Sequence, residues 1–153
     1  MKITFLWIGK AKQKEFQKLE NLYSQRLKHY CKYVIRELKE VKSKSTHDLK
    51  NQEGKLFLEN VKTSDHLILL DESGQQKQSR KLAQELQNYM NLSQNIVFLI
   101  GGAHGVSQEV FDRSNSILSL SEMTLTHDMA RILLLEQVYR AHTILRGEKY
   151  HND

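Results

Sequence analysis

Proline is absent from the 153 residues, and cysteine occurs once, as Cys31. A lone thiol excludes an internal disulfide framework and points to a reducing compartment. Long apolar runs are missing as well. The opening MKITFLWIG is too short for a signal-peptide core with a cleavage site, and no stretch approaches the roughly 18 apolar residues of a membrane span. Secreted, membrane-spanning and collagen-like classes are set aside, and a cytoplasmic protein without a membrane partner is expected. The seven histidines are scattered, with no H-E-x-x-H pattern and no Cys/His cluster, so no metal site is expected. There is no G-x-S-x-G elbow and no evident carboxylate pair. Cys31, beside Tyr30 and near Tyr33, has no base partner and reads as a structural thiol.

What is present suits one globular domain spanning residues 1–153. Apolar residues make up 39% of the chain, and a chain of this length buries about 68–70% of its unfolded surface. The net charge of +5 conceals a split. Residues 1–60 carry fourteen Lys and Arg against seven Asp and Glu; residues 61–153 carry nine against eleven. A basic first part suggests contact with a polyanion, since Lys and Arg gain by releasing counterions from phosphates. A lysine-rich solvated face is the other reading.

Apolar runs alternate with helical patterns. Ile3–Ile8 reads as a buried strand stopped by Gly9, and Phe16, Leu19, Tyr23, Leu27 and Tyr30 recur at helical spacing. A second strand is expected at 33–38 and a polar loop at 42–47. A helix follows at 48–60, weakened by Gly54. A third strand at 66–70 is expected to end in the turn Asp71-Glu72-Ser73-Gly74. Leu82, Leu86 and Tyr89 mark a helix, 96–100 a strand, Ser107 the start of a short helix, 116–120 a fifth strand, and 127–145 the last helix. This alternation predicts an α/β fold with a mainly parallel sheet and helices on both faces. The last helix is apolar around most of its circumference, with Ile132, Leu133, Leu134 and Leu135 consecutive. It must be covered on several sides, by a second subunit or by the rest of its own chain.

Three of the seven glycines fall within Gly101-Gly102-Ala103-His104-Gly105, between a strand and a helix. Ligands bind at the carboxyl ends of strands in open α/β sheets, and glycine allows close backbone approach. A tight turn with no ligand is the alternative; the pattern is neither a dinucleotide fingerprint nor a Walker loop. Residues 119–127, Ser-Leu-Ser-Glu-Met-Thr-Leu-Thr-His, join the fifth strand to the last helix, with Thr126 as the expected N-cap. The tail from Arg140 to Asp153 mixes cations, an aromatic ring and imidazoles, suited to phosphate and base contacts or to a solvated end.

Leu-Leu-Asp-Glu-Ser-Gly at 69–74, Phe-Leu-Ile-Gly-Gly-Ala-His-Gly at 98–105, Leu-Ser-Leu-Ser-Glu-Met-Thr-Leu-Thr-His-Asp-Met-Ala-Arg at 118–131, Glu-Gln-Val-Tyr-Arg-Ala at 136–141 and the terminal Tyr150-His151 stand in order. Together they resemble the ribosomal large-subunit pseudouridine N3-methyltransferases, the RlmH type of the SPOUT superfamily. The resemblance spans the whole chain. It implies a deep C-terminal trefoil knot, against the rule that chains do not thread themselves. It implies S-adenosylmethionine as cofactor, with no metal, and a homodimer through the last helix. The implied substrate is a pseudouridine of 23S rRNA in the large subunit or assembled ribosome. By motif, Leu70, Gly102 and Ser121, Glu122, Met123, Thr124, Leu125 and Thr126 would hold the cofactor. Direct methyl transfer to N3 would be served by Tyr150 and His151 near the base, with Arg140 holding the RNA or the anion. The family often has a basic residue after Tyr-His; here it is Asn152, and Arg146 and Lys149 would take over its phosphate contact. Two other readings stand beside this one. One is a non-catalytic ribosome-binding factor, and the other a SPOUT enzyme acting on another RNA such as tRNA. The latter commonly carry a separate RNA-binding domain, for which this chain has no room. The lack of proline suits a threaded chain, which gains nothing from slow X-Pro isomerisation.

Overall fold

The computed structural model describes residues 1–153. The elements alternate as the periodicity predicts: β1 (Lys2–Ile8), α1 (Lys14–Leu27), β2 (Lys32–Leu38), α2 (Thr46–Glu59), β3 (His66–Gln76), α3 (Ser79–Asn91), β4 (Ile96–Ile100), α4 (Gln108–Arg113), β5 (Ser116–Ser119) and α5 (His127–Leu145). All strand pairings are parallel, in the order β2-β1-β4-β3-β5.

Side chains alternate across the sheet, so each strand serves two cores. Ile3, Phe5, Trp7, Ile68, Ile96, Phe98 and Ile100 face α1, α3 and α5, where they meet Leu27, Leu82, Leu86, Leu134, Leu135 and Val138. Leu6, Leu67, Leu69, Val97 and Leu99 face the other way, onto Phe57 of α2 and Val110 of α4. Both faces are covered, which is why the central strands read as unbroken apolar runs. No helix is long and apolar enough to cross a membrane.

Three local expectations change. The helix expected at 48–60 begins at Thr46, because Ser45 caps it by accepting from the Asp48 N–H at 3.0 Å. Gly54, expected only to weaken that helix, marks a close approach: a Cβ there would overlap Ser107 Oγ at the start of α4. The turn at 71–74 does not end its strand. Asp71 Oδ1 accepts from the Ser73 N–H at 2.9 Å, forming the local turn its residue types favour, yet the chain continues forward. Leu70 and Gln75 both align with Leu118, so 71–74 form a bulge inside a longer β3. Gly74 lets the chain rejoin β5, since a Cβ there would lie 2.7 Å from the Ile117 backbone.

Helix α5 packs against both α1 and α3. Leu134, Leu135, Val138 and Ala141 are wholly buried within the one chain. Covering by its own chain therefore accounts for much of its apolar circumference. His142, also on α5, is buried, and burial together with Arg146 lowers its pKa to about 4. A depressed histidine pKa means that the unfolded chain binds the proton more readily. Stability is thus full above pH 6.5 and falls as the pH drops from 6.5 towards 4, by on the order of 3 kcal/mol from this group. His142→Gln should flatten that part of the curve in denaturant titrations at stepped pH; an unchanged slope would refute the assignment. Cys31 is half-buried, and burial pushes its thiol up to about 11, as expected of an inert structural cysteine.

Candidate functional site

In a parallel sheet every strand delivers its carboxyl end to the same edge, where helix N-termini also gather. Here that edge opens, between β3, β4 and β5, into a cleft of about 390 Å³, within the range of small-molecule sites. Leu70, Ile100 and Leu118 supply apolar surface from the three strands; residues 101–106, 119–121 and 123–125 and the bulge residues Asp71 and Glu72 add the rest. His127 and Ala130 close it from α5.

The glycine segment is a tight turn and a cleft wall at once. Gly102 and Gly105 face each other across an isolated bridge, the Gly105 N–H donates to the Gly102 carbonyl at 3.0 Å, and Gly105 has φ of 81°. A Cβ on Gly101 would lie 2.6 Å from Val106 Cγ1, and one on Gly102 would overlap the Glu53 carboxylate. Glu53 does not line the cleft, so the close approach at Gly102 comes from behind the turn. Burial raises the Glu53 pKa, and nearby His104 partly offsets it.

The 119–125 segment is held by its own hydroxyls. Ser119 Oγ donates to the Ser121 carbonyl at 2.9 Å, and Ser121 Oγ accepts from the Met123 N–H at 2.9 Å. Thr124 Oγ1 donates to Glu72 Oε2 at 3.3 Å, joining this segment to the β3 bulge. The lining contains two carboxylates, Asp71 and Glu72, and no Lys or Arg. Burial and Arg131 lower the His127 pKa, which keeps that ring neutral near pH 7.

Of the residues expected to hold a cofactor, Leu70, Gly102, Ser121, Met123, Thr124 and Leu125 line the cleft. Glu122 and Thr126 do not. Glu122 is exposed, and Thr126 spends its hydroxyl on the α5 N-cap, accepting from the Met129 N–H at 3.3 Å. The residues expected to act on the base, Arg140, Tyr150 and His151, stand together but outside their own chain's cleft. Arg140 is thirteen residues past His127 on α5, about 20 Å at a rise of 1.5 Å per residue.

These three form one network. Arg140 pairs with Glu136, and the Tyr150 hydroxyl donates to Glu136 Oε1 at 3.0 Å. The guanidinium lies 4.7 Å from the Tyr150 ring centre and donates to His151 Nδ1 at 3.3 Å. His151 Nε2 lies 3.1 Å from Asp153 Oδ1, and Asp153 pairs with Arg80 of α3. These partners assign the proton to Nε2, with Nδ1 accepting from Arg140. The Glu136 hydrogen bond raises the Arg140 pKa; burial, then Glu136, raises that of Tyr150. Both stay fully protonated near neutrality. The arrangement presents a fixed cation and hydrogen-bond donors, suited to stabilising an anion.

The family described as "Predicted SPOUT methyltransferase" matches residues 1–151. The chain belongs to the SPOUT methyltransferase family. Its curated relatives include a protein of Christiangramia forsetii, 42% identical over 99% of both chains, and one of Bacteroides fragilis, 36% identical over the whole of both. Each is named ribosomal RNA large subunit methyltransferase H. A solved structure of a probable methylase family protein from Haemophilus influenzae shares the fold at a TM-score of 0.57 and 10% identity. It covers 99% of this chain and 70% of that one.

Within this SPOUT chain, sequence reasoning missed Asp71, Glu72, Ile100, Leu118, His127 and Ala130 as lining residues. A signal for three of them was available. Ile100 and Leu118 lie near the carboxyl ends of apolar runs, and His127 opens the last helix, all at the edge where the glycines sit. Asp71 and Glu72 were hidden by reading 71–74 as a strand-ending turn.

Proposed function

We propose that this chain uses S-adenosylmethionine to methylate N3 of a pseudouridine in large-subunit (23S) rRNA, in the large subunit or assembled ribosome of the cytoplasm. The observation that carries the reading is a glycine-walled cleft at the carboxyl edge whose only formally charged residues are acidic. Polyphosphate cofactors need cations or an open anion nest. A sulfonium cofactor, itself cationic at sulfur and at its amino group, fits beside Asp71 and Glu72. Leu70, Leu118 and Leu120 offer apolar surface to a purine, and the 101–105 and 119–125 backbones offer polar groups. When bound, that cofactor supplies a methyl group on a good leaving group. The chain's residues must then align the acceptor, exclude water and stabilise charge as N3 loses its proton. No three His, Cys, Asp or Glu side chains converge as a metal site would require.

The separation of Arg140, Tyr150 and His151 from the cleft supports a homodimer in which α5 lies at the interface and one subunit's tail completes the other's site. Helix α5 still offers a half-exposed Met129, and the neighbouring α1 offers Leu19 and Leu22, which are 38% and 41% exposed. In the completed site Arg140, held by Glu136, stabilises the base anion, and Tyr150 and His151 orient it. The trefoil threading belongs to the same reading. It is supported by the junction of the β3 bulge with the 119–125 segment and by the return of α5 across α1 and α3.

The test is methyl transfer from labelled cofactor to ribosomes, isolated large subunits and naked rRNA in parallel. Incorporation at a pseudouridine of ribosomal particles supports the reading. Binding without incorporation into any of the three would leave a ribosome-binding factor, and incorporation into tRNA, assayed alongside, with none into ribosomal RNA would redirect the substrate.

A further inference from the structure

Five lysines occupy two neighbouring loops at the carboxyl edge, and a sixth, Lys14, opens α1. Lys10, Lys12 and Lys14 follow β1, and Lys39, Lys42 and Lys44 follow β2. All six are exposed, and none enters an ion pair within the chain. Glu40 is the one acid between the strand ends and the helices that follow, Thr46 and Lys14 onward. Because β1 is hydrogen-bonded to β4, the first loop leaves the sheet beside the glycine turn, and the second is one strand further out. At about 4.8 Å per strand, the two lysine loops begin about 5 and 10 Å from the β4 end of the cleft.

These loops are anchored. Ala11 is buried between Lys10 and Lys12, and its carbonyl accepts from the Gln17 side chain at 2.7 Å. The Gly9 N–H donates to the Leu38 carbonyl at 2.7 Å, tying the first loop to the end of β2 where the second begins. Arg131, buried on α5 and stacked 5.0 Å from the Trp7 ring centre, donates to the carbonyls of Ile8 at 2.5 Å and Gly9 at 3.2 Å. It directly follows Ala130, a cleft residue. One buried cation thus holds the lysine-bearing loop in fixed relation to the cleft.

We propose that the β1–α1 and β2–α2 loops form a phosphate-gripping platform for the RNA backbone flanking the target nucleotide, the first of them held to the cleft by Arg131. This rests on the reading of the cleft as an rRNA methylation site. Exposed lysines fixed at one edge grip phosphates and position the RNA without reading its sequence. The acidic cleft and its basic margin divide the work: cationic cofactor inside, anionic substrate around it.

The experiment compares two triple variants, Lys10→Ala/Lys12→Ala/Lys14→Ala and Lys39→Ala/Lys42→Ala/Lys44→Ala, with a control of equal charge loss. The control is Lys2→Ala/Lys28→Ala/Lys32→Ala, near the amino ends of the same strands. Binding to isolated large ribosomal subunits is measured across a salt series, with methyl transfer and cofactor affinity alongside. Each edge triple should lower the slope of log affinity against log salt by about 2–3 and raise KM for the particle about tenfold or more. Turnover at saturation and cofactor affinity should stay unchanged, and the control should move KM less than about twofold. Equal losses in the control, or wild-type slopes in both edge triples, would overturn the platform. So would a loss of binding to phosphatidylserine vesicles without any loss on the ribosomal particle. If wild-type protein binds cofactor yet methylates no RNA, the functional reading fails, while the salt series still decides whether these loops grip RNA.

Discussion

Mixing Gly102→Val and His151→Ala chains, each below about 1% of wild-type methyl transfer alone, should restore about a quarter of wild-type activity. The reasoning is geometric. Arg140 stands about 20 Å along α5 from the helix end that closes its own cleft, and His151 is bound to it. If the tail of one subunit serves the cleft of the other, a mixed dimer has one site bearing both lesions and one bearing neither. Random pairing makes half of all dimers mixed, each with one intact site. If tail and cleft of the same chain work together, every site keeps one lesion and mixing restores nothing. Co-refolded mixtures assayed for labelled methyl transfer distinguish these outcomes, and no recovery would sink the shared site.

The second large effect concerns the cofactor. Gly102→Val should weaken S-adenosylmethionine binding at least about a hundredfold, near 2.7 kcal/mol. The new side chain does not point into the cleft. It meets the buried Glu53 carboxylate behind the turn, and either that carboxylate or the 101–105 wall must shift to relieve the overlap. Adding Glu53→Ala removes that obstacle, so the double variant should regain at least about tenfold of the lost affinity. Calorimetric titration of both variants checks this. Normal uptake by Gly102→Val alone would place the cofactor elsewhere. A double variant no better than the single one would mean that Gly102 is needed for another reason.

The elements were legible because their signals are local. Ile3–Ile8 and Ile96–Ile100 are apolar on both faces, as strands covered by helices on both sides must be. Thr126 announced the start of α5 through residue type alone, and its hydroxyl caps the helix as expected. The glycine cluster at 101–105 and the hydroxyl-rich 119–127 segment both reached the cleft, since each lies just past a strand end.

Several features were not local. Asp71-Glu72-Ser73-Gly74 does make a turn with itself, but whether the chain then reverses or rejoins the sheet depends on β5, which arrives more than forty residues later. Gly54 and Gly102 look like helix weakening and ligand access until α4 and Glu53 are seen pressing against them.

Composition, charge order and periodicity by themselves determined an α/β chain with a basic first part and a glycine turn at a strand end. These depend on residue type and near neighbours, which a one-dimensional string records. Tertiary structure decided that the bulge of β3 and the 119–125 segment share one cleft. It also placed that cleft's acidic lining beside six free lysines, and set Arg140, Tyr150 and His151 away from the cleft of their own chain. Those outcomes follow from strand order and helix length, which bring residues together, or hold them apart, without regard to their distance along the chain.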